Sequence, residues 1–174
     1  MPRLPVRMRR PSRAQLAVVL ALTMAFALGA VLPGAFGQTK AAPTAVRNAL
    51  AQTSRVQGAP DRTMVLSRVE VQPGAKLALH HHLGTQVASI AAGTLTYTVR
   101  RGRAVVRKGE SDQSPRTVRT IEAGQTAPIR GGQWIVEQPS DIHEAANLGT
   151  APVVIYIATL LKTGAPAATP VALP

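Results

Sequence analysis

The chain has 174 residues, room for one domain whose core folds without staples. It contains no cysteine, which excludes disulfides, thiolate metal sites, cysteine nucleophiles and a lipid-attachment cysteine. A net charge of +12 invites a nucleic-acid reading, but aromatic residues make up only 3% of the chain, too few for base-stacking platforms.

The charge is also unevenly placed. Arg3, Arg7, Arg9, Arg10 and Arg13 precede an uncharged run from Ala14 to Thr39. A basic start, an apolar stretch and small residues at Ala35 and Gly37 predict an export signal over residues 1–37, cleaved after Gly37. The other reading is an uncleaved membrane anchor, since Leu16 to Leu32 gives 17 mainly apolar residues, at the short limit for a span. Pro33 and Gly34 suit a cleavage region better than a continuing helix. The expected location is therefore secreted or periplasmic, with membrane contact only through that segment; a disulfide-free exported protein is ordinary in bacteria. The remaining residues carry 15 basic and 8 acidic side chains, a net +7, so no nucleic-acid partner is expected.

Residues 38–61 read as a linker rich in Ala, Thr, Gln and Pro, with "TAVRNALAQTSRV" placed as a short amphipathic helix from Thr44. From residue 62 to 161 the chain reads as strands punctuated by glycine and proline. They are "TMVLSRVEV", "KLALHHH", "QVASIAA", "TLTYTVR", "AVVRK", "RTVRTIE", "QWIVE", "HEAAN" and "VVIYIATLL". "TLTYTVR" and "AVVRK" are predicted to form a hairpin across Arg101-Gly102-Arg103, its basic residues a solvated face. A polar loop, "GESDQSP", precedes "RTVRTIE". The tail 162–174, with three prolines, is expected to be extended and mobile. Short strands at regular spacing, with turn signals between them, predict an all-β antiparallel sandwich or barrel.

Three of the four histidines stand together in "HHH". On a strand His80 and His82 leave the same face and can share one metal ion, whereas His81 points to the other face. His143 lies 61 residues further on, and only a barrel would bring it to the pair. Glu137, Asp141 and Glu144 lie near His143 in sequence as surface carboxylates, a partner to a ligand or a base, with Glu144 pointing away from its neighbour. Tyr97, Trp134 and Tyr156 are read as filling the barrel or its interface. No nucleophile elbow and no phosphate-binding glycine loop is present in the sequence.

Two segments resemble the motifs of the cupin superfamily. "GAKLALHHHLGTQVASIAAG" is similar to G-x5-H-x-H-x3,4-E-x6-G, with Gly74, His80, His82 and Gly93 in place and Gln86 where the family has Glu. "GQWIVEQPSDIHEAAN" is similar to G-x5-P-x-G-x2-H-x3-N, with Gly132, His143 and Asn147 in place, Gln138 and Ser140 replacing Pro and Gly, and Pro139 one residue away. The resemblance covers about residues 62–161 and implies a cupin-type antiparallel β-barrel or jelly roll. It also implies a divalent metal (Fe, Mn, Ni, Cu or Zn) held by His80, His82 and His143, with Gln86 at the fourth position. Cupins commonly dimerise, so a homodimer is a further expectation.

Glutamine is neutral and a poorer donor than a carboxylate. A site of three histidines and Gln86 keeps the full +2 of the ion and has no carboxylate to take a proton. Otherwise Gln86 hydrogen-bonds a water or substrate, or marks a site that has lost its metal. Two functions follow from the resemblance. One is a metal-dependent enzyme acting on a small organic molecule, dioxygenase-like where the ion is iron. The other is a non-catalytic barrel that captures a small anionic ligand or in which the metal is structural.

Overall fold

The computed structural model describes residues 42–109 and 115–172. The leader expected over 1–37 and most of the polar loop before "RTVRTIE" lie outside the described residues. Among the described residues no helix is long and apolar enough to cross a membrane.

Among the described residues, twelve strands make two antiparallel sheets. They are β1 (Ala45–Thr53), β2 (Arg62–Val71), β3 (Lys76–His81), β4 (Gly84–Ala92), β5 (Thr94–Arg101), β6 (Arg103–Lys108), β7 (Arg116–Glu122), β8 (Thr126–Arg130), β9 (Gln133–Glu137), β10 (Ile142–Ala146), β11 (Val153–Lys162) and β12 (Thr169–Pro170). One sheet runs β1-β2-β11-β4-β9-β6-β7 and the other β12-β3-β10-β5-β8. From β2 to β6 and again from β7 to β12, successive strands alternate between the sheets. Partners therefore come from far apart in sequence, as in a jelly roll.

Alternation builds the core. In β11, Val153, Ile155, Ile157, Thr159 and Leu161 face inward while Tyr156 and Ala158 face out. Val71, Ile90, Val106, Ile121, Ile129 and Ile135 meet them between the sheets, each at most 2% exposed. Burying such a side chain contributes roughly 1.5–3 kcal/mol, so this layer is the main source of stability.

Three expectations need correction. The segment expected as a linker with a helix from Thr44 is β1, an edge strand paired with β2 from Ala45↔Val71 to Thr53↔Met64. All nine of its residues are exposed, so neither face carries the apolar period that reveals a strand. The tail is not free: β12 pairs with β3 through Thr169↔His81 and Pro170↔His80. The predicted hairpin is instead a corner, because β5 and β6 enter different sheets. Gly102, at φ 82°, makes that corner, and a β-carbon there would meet the Asp141 carboxylate.

Candidate metal centre

β3 does not run straight. Against β10, His143 faces His80 but Ala145 faces Leu77, so β3 holds one extra residue between those pairs. That bulge switches the face presented by the strand. Leu77 packs against the core before it, and His80 and His82 turn inward after it. His143 stands directly across from His80, which is how His82 and His143, 61 apart in sequence, meet. His81 remains outside the group.

The three rings sit with centroids 4.4–5.1 Å apart. Their candidate ligand atoms all lie within 4.8 Å of one another. His82 Nε2 and His143 Nε2 are 3.3 Å apart, and both residues are 2% exposed. Two ligands on one ion with bonds of roughly 2.0–2.1 Å and tetrahedral angles are separated by about 3.3 Å, so the spacing suits a shared cation.

The tautomers suit it as well. His82 Nδ1 lies 2.7 Å from the Ala167 carbonyl and His80 Nδ1 lies 2.6 Å from that of Ala78. A carbonyl only accepts, so each Nδ1 carries the proton and donates it, and each Nε2 keeps its lone pair. Ala167 belongs to the segment expected as a loose tail, which therefore orients a candidate ligand.

Glu137 lies beside the cluster. It ends β9, where Gln133, Ile135 and Glu137 all face inward, and it is directly across from Gln86 on β4. Tyr97 Oη donates to Glu137 Oε1 at 2.8 Å, and Gln86 Nε2 donates to Glu137 Oε2 at 2.8 Å. On the other side, Oε1 lies 3.3 Å from His143 Nε2 and Oε2 lies 3.6 Å from His82 Nε2. The site thus holds a carboxylate after all, delivered by a different strand. Gln86 is 1% exposed; its amide is committed to Glu137, and its Oε1 is buried without a partner.

Charge balance reinforces the geometry. Burial holds the His143 imidazole down to about 4, with Glu137 pulling up and His80 and His82 pushing further down. Burial also lowers His82, against the pull of Glu137. Both rings are neutral near pH 7, the form that ligates metals. Burial drives the Glu137 carboxyl up, but His143, His82 and the Tyr97 hydroxyl outweigh it and leave its value lowered. Tyr97 itself is raised well above its ordinary value by burial and by Glu137, so it stays a donor. The Nε2 lone pairs of His80 and His82 and the neighbouring buried carboxylate are donors that a divalent ion fits.

The other predicted positions divide cleanly. Glu144 points outward as expected and receives a hydrogen bond from Arg100 Nε at 2.9 Å. Asp141 Oδ2 accepts from Gln138 N at 2.8 Å and closes the turn in which Pro139 and Ser140 are central, replacing the motif's own Pro and Gly. Asn147 is buried, donating to the Val71 and Ala151 carbonyls at 2.8 Å each, so it fixes the end of β10 and not the site. Trp134 is half-buried under the Arg107 guanidinium, 5.8 Å away, and Tyr156 is exposed. Tyr97, read as barrel filling, is in fact part of the site, stacked on His143 at 5.0 Å. Its parity with the core residues Leu95 and Val99, and that of Glu137 with Ile135, is the signal that places both inside.

The cluster borders a cavity of about 290 Å³, walled by Leu77, Ile90, Ile135, Ile155 and Ile157. Ala167, Ala168 and Pro170 of the tail also line it, and Arg47 reaches it from β1. Arg47 is exposed as a residue, but the partial desolvation of its guanidinium beside the cavity lowers it while Glu137 pulls it back up.

By class, then, the protein is a double-sheet antiparallel barrel with a histidine cluster between its sheets. Its fold is a jelly roll in which the two cupin-like motifs lie on strands β3, β4, β9 and β10, and their histidines meet between the sheets. No protein-family model and no curated protein matches the sequence. Among solved structures, the chain is similar to the Cnp3 cupin domain of Schizosaccharomyces pombe at 12% identity and TM-score 0.47, covering 68% of this chain and 66% of that one. It is similar to a cupin 2 domain-containing protein of Halorhodospira halophila at 15% identity and TM-score 0.49, covering 78% and 76%. The polyketide cyclase RemF of Streptomyces resistomycificus is similar at 16% identity and TM-score 0.49, covering 75% and 72%. The chain spans just under two thirds of the yeast domain.

Proposed function

We propose that this is an exported metal-dependent cupin enzyme acting on a small organic molecule, with His80, His82 and His143 holding a divalent ion of the Fe, Mn, Ni, Cu or Zn group. The observation that carries this reading is the 3.3 Å approach of His82 Nε2 and His143 Nε2 inside an apolar pocket. The alternative is a non-catalytic binding barrel; the buried Glu137, a carboxylate beside the histidines, favours the enzyme over it.

When bound, the ion acts as a Lewis acid on an oxygen of the substrate or, where it is iron, supports oxidation by O2. The chain does the rest. The backbone acceptors at Ala78 and Ala167 keep the Nε2 lone pairs of His80 and His82 inward. Tyr97 and Gln86 pin the Glu137 carboxylate. The isoleucine wall excludes water, which strengthens every charge interaction inside. Arg47 at the mouth favours a substrate with an anionic group facing outward.

The test is turnover. Oxygen uptake and product formation are measured for small carboxylates with the Fe-loaded domain, and with the other four ions in parallel. The expected result is turnover with at least one ion, abolished in His143→Ala while circular dichroism stays that of a folded β-barrel. Ligand binding without turnover for every ion would make the protein a binding module.

A further inference from the structure

The carboxylate of the centre has changed strands, and its new position has a consequence for the ligand set. The motif resemblance places a fourth ligand at residue 86, where this chain has a glutamine. Gln86 and Glu137 are direct cross-strand partners on β4 and β9. Their side chains leave the same face and touch at 2.8 Å, so an acid moved from one position to the other stays at the same end of the cavity.

Glu137 is bound in a way that leaves half of its acceptor capacity aimed at the imidazoles. An ionised carboxylate has about four lone-pair sites. One on each oxygen is filled from outside, by Tyr97 Oη and by Gln86 Nε2. The inner side of each oxygen faces a histidine nitrogen, at 3.3 Å and 3.6 Å. His82 Nε2 is a lone pair by its tautomer, so acceptor faces acceptor there. At His82 a cation satisfies such a meeting, whereas His143, whose Nδ1 has no partner, can also donate its own Nε2–H to Oε1. Oε1 at 3.3 Å from His143 and Oε2 at 3.6 Å from His82 put the carboxylate beside two of the three histidines; the group whose ligand atoms all lie within 4.8 Å is the histidines alone, so ligation requires Glu137 to turn towards the ion. Glu137 is also the one acidic side chain buried among the described residues.

We infer that Glu137, not Gln86, supplies the fourth protein ligand to the ion, and that Gln86 and Tyr97 are positioning residues that orient its carboxylate. The inference rests on the metal reading above. It alters the chemistry expected of the site: three neutral imidazoles and one carboxylate leave a bound divalent ion with a net charge of +1, where a glutamine ligand leaves +2. Retention is correspondingly stronger and Lewis acidity lower. The unpartnered Gln86 Oε1 is left as an acceptor for a water or a substrate hydroxyl at the centre.

The test uses Co(II) as the probe on metal-free protein of the full exported length, reading affinity by chelator competition and the ligand field from the visible spectrum. Outer-shell partners typically cost 10–100-fold in metal affinity. On that scale Glu137→Gln is expected to weaken binding by about 100-fold or more and to shift the spectrum. Gln86→Ala is expected to cost about 10-fold with the spectrum retained. The exchange variant Gln86→Glu/Glu137→Gln, which returns the acid to β4, is expected to recover to within about 10-fold of the parent. Should Glu137→Gln fail to fold, the infrared difference spectrum of the parent on Zn(II) loading replaces it, with a shifted carboxylate band expected. Parent-like Co(II) binding by Glu137→Gln, or no carboxylate shift, overturns the inference and leaves the three histidines standing. Loss of Co(II) in Gln86→Ala with Glu137→Gln unaffected overturns it in favour of the glutamine carbonyl. Parent-like binding by His143→Ala instead overturns the metal reading itself.

Discussion

His143 shows how a single residue couples folding to acidity. Its imidazole titrates at about 4 in the folded protein, against an ordinary value of 6.5, because burial disfavours the charged ring. The unfolded chain therefore takes up the proton first as pH falls. Stability of the metal-free protein is unaffected above about 6.5, declines between 6.5 and 4, and levels off for this group below that. His82 is displaced in the same direction, so the two effects add. One group displaced this far contributes roughly 2 kcal/mol of loss between pH 7 and pH 5. Urea unfolding of the metal-free protein at those two pH values is expected to show a lower midpoint at pH 5; equal midpoints would mean that the rings are not held neutral by burial. Much of this site was visible in the sequence. The spacing of His80 and His82 puts them on one face, and motif likeness adds His143. What was hidden is relational. Glu137 reads as one of several carboxylates until its strand's alternation is tied to Ile135, and only the register with Gln86 reveals that the acid has changed strands.

At the scale of elements, sequence pattern found the strands that bury one face and missed those that do not. β1 is exposed on both faces and has no period to read. β8 and β12 contain Pro128 and Pro170, which argue against a central strand, and each indeed lies at an edge of its sheet. The bulge in β3 has no sequence mark, yet it lets Leu77 and His80 share a face. β12 and the turn before it also have a task that composition hides, because the Ala167 carbonyl fixes the His82 ring. Truncation after Gly164 removes that acceptor and a two-residue strand but none of the central ladder. Co(II) affinity is expected to fall by about 10–100-fold, as for other partners of metal-binding histidines, with thermal unfolding still cooperative. An unchanged affinity would show that the tail merely covers the pocket. Gly84 is a contrasting case of packing: a β-carbon there would run into the backbone of Leu160 and Leu161. Gly84→Ala is expected to destabilise the β4–β11 ladder by about 1–3 kcal/mol in denaturant unfolding; an unchanged midpoint would mean that the strands separate without cost.

At the scale of the whole molecule, a proposed export signal precedes a barrel whose buried titratable side chains, among the described residues, are gathered at one site. Several of the basic residues that raise the net charge have local roles. Five precede the leader's apolar run, Arg100 pairs with Glu144, Arg101 donates to the Ser140 carbonyl and Arg107 covers Trp134. Expressed from its full sequence in a bacterium, the protein is expected outside the cytoplasm with Gln38 as its first residue; an intact Met1 on membrane-recovered protein would make the leader an anchor. Everything functional depends on imidazoles from two remote segments sharing one cation. The most direct measurement is elemental analysis of the purified exported protein beside His82→Ala and His143→Ala. The account predicts close to one transition-metal ion per parent chain and a near-complete loss in both variants. Equal metal content in all three, or a parent that takes up none when supplied with all five ions, would contradict it.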